Sequence, residues 1–223
     1  GRLVDPTEPS AAFDAEGDAG PTGKLLVLVH GLCLNDRQWT REGHDHGAAL
    51  ADEFGHTPLY LRYNSGRHIA ANGEAFAELL ETLVSHWPQP VTELVIVGHS
   101  MGGLVARSAC HHGRLGKHEW LKHLQRLMFI GTPHHGAPLE RGGHWLDFVM
   151  DLSPYSAPFT QIGKTRSAGI TDLRHGTITK GGHEHVALPS GVKCYALAAT
   201  LGARRSLLNE RLIGDGLVPL DSA

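Results

Sequence analysis

The stretch Leu94-Val95-Ile96-Val97 has no polar break and runs directly into Gly98-His99-Ser100-Met101-Gly102-Gly103, where a helix is predicted from Met101 to about His111. A continuous apolar run of this length reads as a strand buried on both faces, the kind found inside parallel sheets. The chain must therefore turn from strand to helix within one or two residues. The same grammar recurs along the sequence. Short apolar runs span residues 24–30, 58–64, 93–98, 126–130 and 192–200, several of them ending at a glycine. Between them, residues 46–54 look helical, and Ile69, Phe76, Leu79, Leu80, Leu83, Val84 and Trp87 share one helical face until Pro88 and Pro90 end it. Alternating strands and helices predict an α/β fold with a mostly parallel, doubly wound sheet and helices on both faces.

Composition narrows the function classes. A chain of 223 residues can bury one sizeable core. It is 41% hydrophobic and 19% charged, with a formal net charge of −3, which excludes a polyanion-binding profile and so a nucleic-acid partner. Apolar runs such as Leu25–Val29 are far short of the roughly 18 residues that span a bilayer. Cys33, Cys110 and Cys194 are odd in number and widely spaced, which reads as three buried thiols, with one bridge plus a free thiol as the alternative. No signal peptide is visible. A soluble protein is expected, the cytoplasm being favoured, and secretion stays open because the chain starts at Gly1.

Residues 1–23, with five acids and three prolines, read as an irregular acidic lead-in to a domain over 24–223. Within it, residues 136–190 are too long for a plain connection.

The G-x-S-x-G pattern around Ser100 becomes specific in its context of buried strand, sharp turn and helix. The serine must sit in a strained turn that lifts its hydroxyl above the sheet edge. Gly98 and Gly102 are small because side chains there would collide with each other and with neighbouring strands. The helix N-terminus behind Ser100 favours developing negative charge.

These residues, with His30-Gly31-Leu32, Gly131-Thr132-Pro133-His134-His135-Gly136 and Gly214-Asp215-Gly216-Leu217-Val218-Pro219, resemble the α/β-hydrolase superfamily, and within it bacterial lipases and esterases. The resemblance implies a serine hydrolase that cleaves carboxylic esters through an acyl-enzyme, with no cofactor and with a small acyl ester or lipid as substrate. It implies Ser100 as nucleophile, an oxyanion hole from the backbone N–H groups of Leu32 and Met101, and Asp215 as the acid that orients a histidine, with Asp172 as the runner-up. In this superfamily the order is serine, acid, histidine. All 17 histidines precede Asp215, so the catalytic histidine and the last strand are expected beyond Ala223.

His30 and His99 are expected to shape the two turns, while His134 and His135 line the pocket. The pairs His44/His46 and His183/His185 read as surface loops rather than a metal site. The resemblance places a lid over 136–190, where an apolar helix would meet an acyl chain or a lipid surface. Two other readings stand beside hydrolysis: an acyltransferase or thioesterase on the same scaffold, and a non-catalytic binding module.

Overall fold

The computed structural model describes residues 4–13, 20–136, 167–181 and 186–198. The strands are β1 (Lys24–Val29), the short pair β2 (Thr40–Arg41) and β3 (His44–Asp45), β4 (Thr57–Leu61), β5 (Glu93–His99), β6 (Leu124–Ile130) and β7 (Lys193–Leu197). The α-helices are α1 (His46–Phe54), α2 (Ile69–His86), α3 (Met101–Gly116) and α4 (Ala168–His175). Five strands form one wholly parallel sheet in the order β4-β1-β5-β6-β7. The α/β-hydrolase fold expected from the sequence is the one observed.

The order of strands has a direct consequence. The chain steps from β1 to β4 on one side, then crosses back and builds β5, β6 and β7 on the other. Right-handed crossovers then place α1 on one face of the sheet and α2 and α3 on the opposite face. The strand side chains divide the same way. Leu25, Val27, Val29, Leu94, Ile96, Leu127 and Phe129 join the cluster that includes α2 and α3, while Leu26, Leu28, Val95 and Val97 pack with Trp39 and Ala51 of the α1 side. Reversal of strand order leaves a crevice at the carboxyl ends of β1 and β5, where open α/β sheets bind ligands.

Differences from the sequence reading have local causes. Helix α3 runs on to Gly116 because Gly113 gives Trp120 room, a Cβ there lying 3.0 Å from Trp120 Cζ2, and because Lys117 (φ 55°) closes it in the left-handed region. The hairpin β2–β3 turns through Glu42 and Gly43, both at positive φ. In the described part of the lead-in, Pro9 is buried in a 3-10 turn, and Phe13 meets Trp87 edge-to-face at 5.7 Å between ring centres. All three cysteines are free, but only Cys110 is buried; Cys33 and Cys194 are half-buried, which corrects the expectation of three buried thiols.

Of the interval expected to form a lid, residues 137–166 and 182–185 lie outside the described residues; helix α4 packs against α2 on the body of the domain. Leu173 is 0% exposed, and Ile178 and Val186 are also buried in the main core. Among the described residues no helix is long and apolar enough to cross a membrane.

Candidate active site

Ser100 stands at the junction of β5 and α3 with φ 52° and ψ −123°, a conformation that costs a non-glycine residue about 1–3 kcal/mol. Its N–H donates to Ile130 O at 2.8 Å, which ties the turn to the end of β6. The glycines around it have no room for a side chain. A Cβ on Gly98 would lie 2.5 Å from Gly103 Cα, and one on Gly102 would lie 2.4 Å from Val29 O and 2.6 Å from His30 O. Gly103 is equally constrained, by Thr132 Oγ1 at 2.1 Å. The collisions avoided at Gly98 are with the helix that follows, and those avoided at Gly102 are with the end of β1.

The loop after β1 lies directly against this turn. A Cβ on Gly31 would be 3.3 Å from Ser100 Cβ and 3.1 Å from His99 Nδ1. Leu32 and Met101 are buried at 3% and 0% exposure, so both side chains serve packing. His99 meets Trp39 edge-to-face. His30 is fully buried and stacked on Tyr63, with ring centres 4.2 Å apart. Its Nδ1 donates to Gly31 O at 2.9 Å, which leaves Nε2 to accept the Tyr63 N–H at 3.5 Å. Burial holds the His30 pKa below the ordinary histidine value, so this tautomer is neutral. His30, Gly31, Leu32, Gly98, His99, Ser100, Met101 and Gly102 are thus brought together at the crevice.

His134 is placed otherwise. Its Nδ1 accepts from Arg107 Nη1 at 3.0 Å, and its ring sits edge-on to Phe129. Burial, reinforced by the Arg107 charge, pushes its pKa down to about 4. The cavity it lines, about 460 Å³, is walled by Arg107, Val186 and Cys194 rather than by Ser100. Asp215 and the surrounding Gly214–Pro219 loop lie outside the described residues, as do His183 and His185.

A sequence model of the PGAP1-like alpha/beta domain matches residues 20–195, from just before β1 into β7. The chain belongs to the PGAP1-like alpha/beta domain family. A comparison with curated proteins finds no match. Solved structures of like fold include the mature lipase BlEst2 of Bacillus licheniformis, at 21% identity and a TM-score of 0.53 over 84% of this chain and 70% of that one. Phospholipase PlaB of Legionella pneumophila matches at 15% identity and a TM-score of 0.56, over 89% and 45%. The metagenomic carboxyl esterase MGS0156 matches at 18% identity and a TM-score of 0.52, over 83% and 55%. The chain therefore spans 70% of the first of these proteins and about half of the other two.

In this PGAP1-like domain, several residues around the crevice carry no motif that sequence reading could have caught. Gln38 Oε1 accepts the Gly31 N–H at 3.1 Å, and Tyr63 Oη donates to His30 O at 2.7 Å. Ser65 Oγ accepts the Cys33 N–H at 3.1 Å, where Cys33 holds a left-handed φ of 57°. Asp172, considered above as an alternative acid, is bound to the start of α2. Its Oδ2 accepts the Ile69 N–H at 2.8 Å and lies 3.1 Å from His68 Nδ1. Helix α2 has no cap from its own N-cap side chain, and Asp172 supplies one from more than a hundred residues away.

Proposed function

We propose that this domain hydrolyses carboxylic esters through an acyl-enzyme formed on Ser100. The observation that carries the reading is the backbone of Ser100: a strained serine between a buried strand and a helix, at the point where strand order reverses, with the β1 loop packed against it. Such a turn holds the hydroxyl clear of the sheet and puts the α3 N-terminus behind it. In this reading Ser100 Oγ attacks the ester carbonyl, and the N–H groups of Leu32 and Met101 stabilise the resulting oxyanion. A histidine takes the serine proton and returns it to the leaving alcohol, and Asp215 orients that histidine. Water then attacks the acyl-enzyme by the reverse route and releases the acid.

His30 bonds within its own loop and to Tyr63, and His134 is tied to Arg107, so neither is taken as this base. The proposed base follows Asp215, in the serine–acid–histidine order that the resemblance implies. The lipase and esterase neighbours support an acyl ester, including a lipid ester, as the substrate class.

Labelling with a fluorophosphonate tests the reading. The full-length wild-type protein is expected to form a covalent adduct that Ser100→Ala cannot form. Absence of labelling and of ester turnover in the full-length protein would replace the hydrolase with the binding module.

A further inference from the structure

The loop between β1 and the Asp36–Trp39 turn carries the proposed oxyanion donor, and its geometry depends on the orientation of two peptide planes. In a trans peptide the C=O and N–H point in opposite directions, so a bond that holds one aims the other. The chain has no cis peptide among the described residues. The peptide joining His30 and Gly31 is held at both ends: its C=O accepts from Tyr63 Oη at 2.7 Å, and its N–H donates to Gln38 Oε1 at 3.1 Å. The peptide joining Gly31 and Leu32 is held at its C=O, which accepts from His30 Nδ1 at 2.9 Å and from the Leu34 N–H at 3.4 Å. The N–H of that same peptide is the Leu32 N–H. Between the two planes sits Gly31, a residue without the side chain that would otherwise limit its rotation. A Cβ on Gly31 would press on His99 Nδ1 and Ser100 Cβ, which disfavours stiffening the loop at that position.

We propose that Tyr63 and Gln38, acting with His30, are positioning residues that pin the two peptide planes flanking Gly31 and so aim the Leu32 N–H at the oxyanion formed on Ser100. Tyr63 acts twice, since its ring also stacks on His30 and its N–H faces Nε2. That contact keeps the His30 proton on Nδ1, where it bonds Gly31 O. None of the three side chains needs to touch substrate. Their effect falls on the transition state, when negative charge reaches the carbonyl oxygen, and not on binding of the neutral ester. The inference rests on the reading of Ser100 and Leu32 given above.

The test compares wild type, Tyr63→Phe, Gln38→Leu, Gln38→Glu and Ser100→Ala in the full-length protein. Three quantities are measured for each: kcat and KM on p-nitrophenyl butyrate, inhibition by a trifluoromethyl ketone that forms a tetrahedral adduct, and thermal unfolding. Complete loss of an oxyanion donor costs about 10²–10³ in rate, and a misaimed donor keeps part of it. Tyr63→Phe and Gln38→Leu are therefore expected to lower kcat by roughly 10- to 100-fold with KM within about twofold. Affinity for the ketone should fall by the same factor as kcat/KM. Gln38→Glu, which keeps an acceptor for the Gly31 N–H, should recover most of the loss.

Turnover abolished by Ser100→Ala but unchanged in the Tyr63 and Gln38 variants would overturn the positioning role while leaving the hydrolase reading intact. Losses confined to KM, or matched by unfolding at the assay temperature, would overturn it equally. No turnover in wild type, or full turnover in Ser100→Ala, would instead remove the reading beneath it.

Discussion

The turn at Ser100 and the segment 167–181 both meet the carboxyl edge of the sheet, yet they are held by opposite means. The turn is made by what is missing. Gly98, Gly102 and Gly103 leave only enough space for bare backbone, and one strained residue, Ser100, occupies the point between strand and helix. The segment 167–181 is made by what is present. Asp172 bonds the first N–H of α2, Ser108 Oγ donates to Ile178 O at 2.7 Å, the Gly169 N–H reaches Gly66 O at 3.2 Å, and Leu173 fills the core. Steric exclusion acts against rigid backbone, that of the following helix at Gly98 and that of the end of β1 at Gly102. Polar pairing acts between residues far apart, through side chains that can relax. The two regions should therefore respond differently to single substitutions.

The largest effect is expected at the turn. Gly102→Ala drives a Cβ to within 2.4–2.6 Å of two carbonyl oxygens at the end of β1, neither of which can rotate away. Such overpacking against backbone should cost about 3 kcal/mol and abolish fluorophosphonate labelling, as read by denaturant unfolding and by gel. A Gly102→Ala protein with wild-type stability would break the contrast at its strongest point.

Next comes Asp172→Ala, which leaves the buried Ile69 N–H without an acceptor at the start of α2. A loss of about 2 kcal/mol is expected, with Asp172→Asn losing roughly half as much because one oxygen can still accept. Equal losses for both variants would show that the carboxylate charge, not the hydrogen bond, holds the segment.

Smaller again is a pH effect carried by His134. Its folded pKa, about 4, lies below the unfolded value near 6.5, so the unfolded chain binds more protons between these values. The neutral ring's contribution is fully present above pH 6.5 and is lost as pH falls toward 4. The unfolding midpoint of the wild type should drop through this window, and His134→Gln should flatten the drop.

The smallest effect belongs to the exposed pair Lys180–Glu74, 2.7 Å apart. Lys180→Ala should leave the unfolding midpoint unchanged within error, because solvent screens both charges.

The same contrast explains which features were legible beforehand. The apolar runs Leu25–Val29 and Leu94–Val97 placed β1 and β5 because burial on both faces of a sheet favours unbroken apolar sequence. The glycines around Ser100 announced a close approach because no other residue type satisfies one. Helix α4 was not anticipated: Ser167 caps its start and Gly176 closes it, but its short span carries Thr171, Asp172 and His175 and has little apolar periodicity, and contact with α2 completes it. Asp172 read as a candidate acid because a carboxylate in a long interval carries no local sign of the helix it will cap.

Sequence alone thus determined the parallel α/β architecture, the position of the sharp turn at Ser100 and the neighbourhood of the β1 loop, since these follow from backbone sterics and from apolar burial. Tertiary structure decided that His134 pairs with Arg107, that Asp172 caps α2, and that Tyr63 and Gln38 grip the peptides beside Gly31. Polar partners are chosen by where folding brings them, and a hydrogen bond between residues tens of positions apart leaves no periodic trace in either one's sequence neighbourhood.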